Sequence, residues 1–151
     1  MNRCRTRAAA PERGAAAVEM ALLLPLLILL VLGIIQYGIY YAARQGGSDI
    51  ARDAARRAAV GDPADCAAFR AQVSSNMSHI AGATTTGAII KRTYTRSDPA
   101  VVQVGDTVTV RVAFNSFDLN VPMVPVPGQG RVDITVASRV EFVPDQPETC
   151  S

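Results

Sequence analysis

The clearest pattern in the chain is an apolar run near its N-terminus. Between Ala15 and Ile35 the only charged residue is Glu19. A helix from Ala15 to Tyr37 would be about 35 Å long, enough to cross the roughly 30 Å hydrocarbon core of a bilayer. A lone segment in lipid has to satisfy its own backbone hydrogen bonds, so the run predicts a membrane-spanning helix. An aromatic belt follows at its far end: Tyr37, Tyr40 and Tyr41.

Two shorter helical segments are predicted after the apolar run. Residues 48–60 continue as helix, with Ser48 as the N-cap after a loosening Gly46-Gly47 junction. A second helix starts at Asp62-Pro63, where proline suits the first helical position, and ends near Gly82. Apolar residues recur on one face of this second helix and predict its core-facing side: Cys66, Phe69, Val73, Met77 and Ile80.

The C-terminal half alternates between apolar and polar residues, as strands with one buried face do. The apolar positions of two such strands are Val108, Val110, Val112 and Phe114, then Val132, Ile134, Val136, Val140 and Phe142. Residues 89–95 form a third, less regular strand, and the proline-rich stretch 115–130 is an extended connection. The predicted fold is α+β: a long N-terminal transmembrane helix, short helices and a small antiparallel sheet.

The distribution of charge along the chain predicts how the helix is oriented in the membrane. Residues 1–14 carry four arginines and one glutamate, a net charge of +3, which leaves −1 for the rest of a chain whose total is +2. Lys and Arg beside a membrane helix stay on the cytoplasmic side. We therefore predict a basic cytoplasmic leader at 1–14, a transmembrane helix at 15–41 and an extracytoplasmic α+β domain at 42–151. A small net charge concentrated in a tail does not favour nucleic-acid binding.

Three other interpretations of the apolar run fit less well. A cleaved secretory signal has an apolar region of roughly 7–15 residues, whereas this run is longer and Tyr41-Ala42-Ala43 is a poor cleavage site. A lipoprotein needs its modified cysteine just after the run, but Cys4 precedes it. A buried core helix would need a second long hydrophobic segment to cover it. We therefore favour a membrane anchor.

Two features of the predicted anchor bear on its shape and contacts. Pro25 cannot donate a hydrogen bond to the carbonyl of Ala21, which predicts a kink in the helix. Gly38, Ala42 and Gly46 recur every four residues, and such a stripe lets a second helix approach closely. An equally good interpretation is that glycine and alanine are simply common in membrane helices.

Glu19 is out of place in this apolar sequence. A carboxylate within a bilayer costs several kcal/mol unless it is paired, so a functional role is the default hypothesis for it. The alternative is that Glu19 lies near the cytoplasmic interface and reaches water.

The order of residues around Glu19 resembles that of known membrane proteins. Arg13-Gly14, four small apolar residues, Glu19 and a long apolar helix resemble the processing region of type IV prepilins and pseudopilins. The longer stretch to about residue 60 resembles the TadE-like family of tight-adherence pilus assembly proteins. The resemblance implies cleavage between Gly14 and Ala15 by a prepilin peptidase. It also implies a pilin-like plan and pairing of Glu19 with the new N-terminal amine of a neighbouring subunit, which would fix the register.

The three cysteines follow the predicted topology. Cys4 lies in the cytoplasmic leader, where thiols stay reduced, whereas Cys66 and Cys150 lie on the oxidising side and can pair. A bridge that closes so long a loop contributes about 4 kcal/mol through the loss of chain entropy. The alternative is a buried free thiol at Cys66 and a disordered Cys150.

The sequence offers no catalytic, cofactor-binding or metal-binding constellation. His79 is the single histidine, and three scattered cysteines lack zinc spacing. A Gly-rich phosphate loop and a nucleophile elbow are missing, and with no tryptophan the chain is a poor stacking surface for nucleic acid. We therefore expect no enzyme activity, no cofactor and no nucleic-acid partner.

The leading functional hypothesis is a minor pilin- or pseudopilin-like component in assembly of a tight-adherence type IV pilus. The resemblance implies a place in the bacterial inner membrane or in the pilus. Its implied partners are membrane lipid, a prepilin peptidase, other pilins or pseudopilins, and the pilus assembly platform. The alternative is an uncleaved bitopic scaffold protein of the same machine. A sensor module and a tethered enzyme are weaker hypotheses, because nothing in the sequence marks a pocket or a catalytic group.

Overall fold

A computed structural model describes residues 12–143 and 145–151, with side chains described from Gly14 onward. Most of the predicted leader, including Cys4, therefore lies outside the described residues. The elements are α1 (Glu12–Ala59), α2 (Cys66–Met77), β1 (Ala83–Thr95), β2 (Thr107–Ser116), a 3-10 turn (Pro127–Gly130) and β3 (Arg131–Arg139). The strands form one antiparallel sheet in the order β1-β2-β3. The predicted α+β plan of a long apolar helix, a short helix and a small antiparallel sheet is confirmed.

The first helix is a single element of 48 residues, about 72 Å long at 1.5 Å per residue. The prediction of a separate helix capped by Ser48 is wrong, because α1 continues through Gly46 and Gly47. A Cβ atom at Gly47 would lie 2.7 Å from Cε1 of Phe114 and 3.0 Å from Cδ1 of Ile134. The glycine therefore lets the sheet lie directly on the helix, and this packing outweighs the low helix propensity of glycine.

The C-terminal half of α1 presents a face of alanines to β2 and β3. Its buried members are Ala43, Ala51, Ala54, Ala55, Ala58 and Ala59. Small side chains bring the helix axis close to the sheet, and the solvent face carries charge. There Arg57 Nε donates to Asp53 Oδ2 at 2.9 Å, the pairing expected of residues four apart on a helix.

The second helix begins later than predicted. Asp65 is its N-cap and accepts a hydrogen bond from the Ala68 amide at 2.8 Å, whereas Asp62 and Pro63 lie in the preceding connection. The predicted start at Asp62-Pro63 is wrong, because Asp65 supplies the acceptor for the first free amides. The helix ends at Met77 rather than near Gly82. The predicted core face is confirmed at three positions: Phe69, Val73 and Met77 are buried.

The sheet follows the predicted alternation most closely in β2. Its predicted inward residues are all buried: Val108, Val110, Val112 and Phe114. The first strand starts at Ala83 instead of residue 89 and has a register shift between Thr84 and Ile89.

The third strand ends earlier than predicted. Val140 is buried, but Phe142 is 60% exposed, so the prediction that the strand and its buried face extend to Phe142 is wrong. Beyond Arg139 the chain leaves the sheet and bonds to other elements. The Val140 amide donates to the Asp106 carbonyl at 2.8 Å, and the Glu141 amide donates to the Ala59 carbonyl at 2.9 Å.

We predict that Gly47→Leu lowers the free energy of unfolding by about 2 kcal/mol, as overpacking of a filled core does. Gly38→Leu is the matched control, because a Cβ atom at Gly38 meets nothing within 4 Å. Urea unfolding of the full chain in detergent micelles, followed by circular dichroism, measures both. Equal effects of the two substitutions would contradict the close approach of the sheet at Gly47.

Candidate membrane and assembly surface

The N-terminal part of α1 has no covering layer within the described part of the chain. Residues 14–28 are exposed on every side of the helix. The large apolar side chains among them are Val18, Met20, Leu22, Leu23, Leu24, Leu26, Leu27 and Ile28. A soluble monomer rarely exposes an apolar patch of this size. By length and composition this helix can span a membrane, although a signal sequence near an N-terminus passes the same test.

One-sided burial begins farther along the same helix. The inward positions recur every three or four residues, as one helix face requires: Leu29, Leu32, Gly33, Gln36, Tyr40, Ala43 and Gly47. The first of these face the loop that follows β2, and the later ones face the sheet. The helix therefore passes without a break from a fully exposed rod to part of the domain core.

The loop after β2, residues 117–126, is fastened to α1 by side chains. We call it the apolar loop. Gln36 Nε2 donates to the Phe117 carbonyl at 3.2 Å, and the Leu119 amide donates to Gln36 Oε1 at 2.7 Å. Tyr37 Oη donates to the Pro125 carbonyl at 2.9 Å. Gln36 is buried, and a buried amide without such partners would be costly.

The predicted processing site and Glu19 lie at the opposite end of the helix from the domain. Gly14, Ala15 and Glu19 are all exposed. Glu19 lies 17 residues before Gln36, which is about 26 Å along the helix. In this fold Glu19 therefore contacts none of the described residues of the domain. A group that pairs with it has to come from the N-terminal tail or from another molecule.

The predicted packing stripe is divided between two environments. A Cβ atom at Gly46 would lie 3.0 Å from Cγ2 of Ile80, so Gly46 packs within its own chain. Gly38 and Ala42 are exposed and line a shallow apolar groove with Phe117. Two of the three predicted positions are therefore open to a neighbouring helix. The helix continues on both sides of Pro25, and the kink there stays a prediction.

A disulfide joins Cys66 to Cys150, the pairing that the sequence predicts. It ties the start of α2 to the C-terminal tail, 84 residues later. The tail also pairs with β1, because the amides and carbonyls of Arg92 and Cys150 bond to each other at 3.0 and 2.7 Å. The covalent bond thereby ties the end of the domain to the start of α2.

Arg92 organises the same corner of the domain. Its fully buried guanidinium donates to the carbonyls of Pro63, Ala64 and Glu148 at 2.6–3.0 Å. It also lies 4.5 Å from the ring centre of Phe69. Burial lowers the pKa of Arg92 from its ordinary value, and the three carbonyls give each of its side-chain nitrogens one hydrogen-bond acceptor. These contacts join β1 to the connection before α2 and to the C-terminal tail, and they do not form a ligand-binding site.

Several of these residues carry no clear signal in the sequence. Arg92 lies in a strand pattern and Gly47 in an apparent helix junction, so their roles depend on tertiary packing. Gln36 is a detectable exception, since an amide in an apolar run needs a partner. No group of three or more metal-ligating side chains occurs among residues 12–143 and 145–151.

In comparison with known proteins, the N-terminal part of the chain matches a family model. The family model described as TadE-like protein matches residues 14–56, which are the exposed rod and most of the helix face that packs on the sheet. Neither the curated proteins nor the solved structures that were compared gave a match.

We predict that replacing both bridge cysteines with serine lowers the free energy of unfolding by about 4 kcal/mol, because the open chain regains the entropy of a long loop. The wild-type protein under reducing conditions is the matched control and should lose the same stability. Urea unfolding of the full chain in micelles, with the oxidised wild-type protein as the reference, measures both. Equal stability of the oxidised protein and the double variant would contradict a stabilising bridge.

Proposed function

We propose, on the match of residues 14–56 to the TadE-like protein family model, that the chain is a membrane-anchored, minor pilin- or pseudopilin-like component in assembly of a tight-adherence pilus. It acts through helix packing and subunit contacts, without catalysis. The observation that carries the proposal is the exposed apolar N-terminal third of α1, which needs a lipid or protein environment that the described part of the chain does not supply.

The continuity of α1 favours a retained anchor over a cleaved signal. Tyr40 and Ala43 are buried in the domain, and Gln36 holds the apolar loop. Cleavage near Tyr41 would cut the helix within its buried face and remove these contacts. Cleavage after Gly14 would remove none of them, because residues 14–28 contact no part of the domain core. Processing at Gly14-Ala15 is therefore compatible with the fold, whereas cleavage near Tyr41 is not.

Glu19 is the residue to which we assign the register between subunits. It lies five residues after Gly14 on an exposed apolar helix, where an unpaired charge is costly. A new amine at Ala15 of a neighbouring subunit would be equally costly alone. Pairing the two charges removes both penalties and fixes the axial position of one helix against the next.

The topology follows from the charge of the leader. Arginines before α1 keep the N-terminus in the cytoplasm, which places the disulfide-bonded domain outside the inner membrane. The partners of such a protein are membrane lipid, a prepilin peptidase, other pilins or pseudopilins, and the pilus assembly platform. Gly38 and Ala42 offer a flat strip for one of those helices.

The alternative is an uncleaved bitopic scaffold of the same machine, which would keep its leader and use the domain as a docking surface. In that case Glu19 has no amine to pair with and lies near the cytoplasmic interface. The two functions differ in the fate of the leader and in the need for a charge at residue 19.

We predict that Glu19→Gln abolishes incorporation into pili while the protein stays in the membrane, because the amide cannot neutralise a buried amine. Glu141→Gln is the matched control, since it makes the same chemical change on an exposed residue of the domain. Electron microscopy and immunoblotting of sheared pili measure incorporation. Normal incorporation of Glu19→Gln would contradict the register role.

The mature N-terminus separates the two functions. We predict that mass spectrometry of the protein purified from membranes finds an N-terminus at Ala15, and that Gly14→Leu blocks the cleavage because the peptidase cuts after a small residue. An intact leader in the wild-type protein would rule out the processed subunit and support the scaffold.

A further inference from the structure

We propose that the tip of the apolar loop inserts among lipid acyl chains on the extracytoplasmic side of the membrane, beside α1. The protein would then meet the bilayer through two elements rather than one. This inference rests on the proposed membrane anchorage of α1.

The composition of the loop is unusual for a connection at a protein surface. From Val121 to Pro127 the chain reads Val-Pro-Met-Val-Pro-Val-Pro, seven residues without one polar side chain. Met123 at its tip is 90% exposed, and Pro122 and Pro125 are exposed as well. Single exposed apolar residues are normal, but a continuous apolar tip marks a surface that contacts lipid or protein.

The loop points along α1 toward the membrane-spanning part. The Leu119 amide is bonded to Gln36, and beyond that point Val121 and Pro122 face Ile28, Leu29 and Leu32 across a shared groove. Val124 lies 3.9 Å from the Cβ position of Gly33. The tip is therefore displaced from Gln36 toward Gly14.

The depth of insertion follows from chain geometry. Val121 and Pro122 share a groove with Ile28, Leu29 and Leu32, which precede Gln36 by four to eight residues. At 1.5 Å per residue, the tip thus lies about 6–12 Å beyond Gln36 along the helix. This is the depth to which interfacial segments commonly enter the boundary of head groups and acyl chains.

The polar residues at the base of the loop indicate where the outer boundary of the bilayer lies along α1. Gln36 and Tyr37 lie at the level where the loop begins, and the exposed Asp118 and Asn120 flank it there. From Ala15 to Ile35 the helix covers about 31 Å, close to the roughly 30 Å of a hydrocarbon core. A bilayer placed on this segment has its outer boundary at the base of the loop and its acyl chains at the tip.

The backbone of the tip has few amide N–H groups that would lack a hydrogen-bond acceptor in lipid. Pro122, Pro125 and Pro127 have no amide hydrogen, and the Val124 amide donates to the Val121 carbonyl at 3.2 Å. Irregular backbone is normally excluded from hydrocarbon because its polar groups lack partners. A proline-rich turn reduces that penalty. Since the tip lies against the anchoring helix, lipid that surrounds the helix at this level also surrounds the tip.

The absence of tryptophan from the sequence makes a direct test available. Met123→Trp places one fluorophore at the tip. Leu22→Trp reports on the anchor, where the native side chain is 75% exposed. Val104→Trp reports on the opposite end of the sheet, where the residue is also exposed. Each full-length variant is reconstituted in phosphatidylcholine–phosphatidylglycerol vesicles whose acyl chains carry bromine, a quencher of tryptophan fluorescence.

We expect quenching of Met123→Trp that is comparable with Leu22→Trp and several-fold stronger than Val104→Trp. Quenching of Leu22→Trp alone would overturn the loop insertion and leave the anchor standing. Blue-shifted but unquenched emission from Met123→Trp would also overturn it, because a protein neighbour would then cover the tip. If neither residue is quenched, the anchorage itself fails and the loop insertion with it. Unchanged thermal unfolding of Met123→Trp verifies that the exposed substitution leaves the domain folded.

Discussion

The structure depends on one constraint: the first third of its longest helix exposes apolar side chains on every side, and within the described chain it meets only the apolar loop, at its inner end. Burying a large aliphatic side chain stabilises by about 1.5–3 kcal/mol. Full burial of the eight such side chains on residues 14–28 would therefore contribute about 12–24 kcal/mol. That range is comparable with, or larger than, the roughly 5–15 kcal/mol that holds a typical domain together. A lipid or protein environment around this segment would remove the cost of exposing these side chains to water.

The same helix couples this environment to the domain. Because α1 continues from Gly14 to Ala59, and because Gly46 and Gly47 bring it against Ile80 and Phe114, the anchor has no flexible joint to the sheet. Gln36 and Tyr37 add a second connection through the apolar loop. The apolar N-terminal part of α1 and the sheet are thus joined by one uninterrupted helix and by the apolar loop.

The sequence predicts the parts of this fold that local patterns control. Alternation identifies the buried side of β2 down to single residues, and the apolar run identifies the long N-terminal helix. Boundaries set by tertiary contacts are missed. The Gly46-Gly47 pair is typical of a helix junction, but close packing of the sheet makes it the middle of a helix. Two aspartates precede α2 at similar spacing, and only the structure selects Asp65 as the cap. The direction of the apolar loop depends on its hydrogen bonds to Gln36, which lies more than 80 residues earlier in the sequence. No local pattern encodes such a contact.

The central claim is that α1 crosses the inner membrane once, with the domain outside. Protease treatment of intact spheroplasts, combined with alkaline carbonate extraction of their membranes, tests it most directly. The account predicts that the chain stays with the membrane after extraction and that external protease degrades the domain while sparing a short N-terminal fragment. A chain that is released without detergent, or a domain that external protease leaves intact, would contradict it.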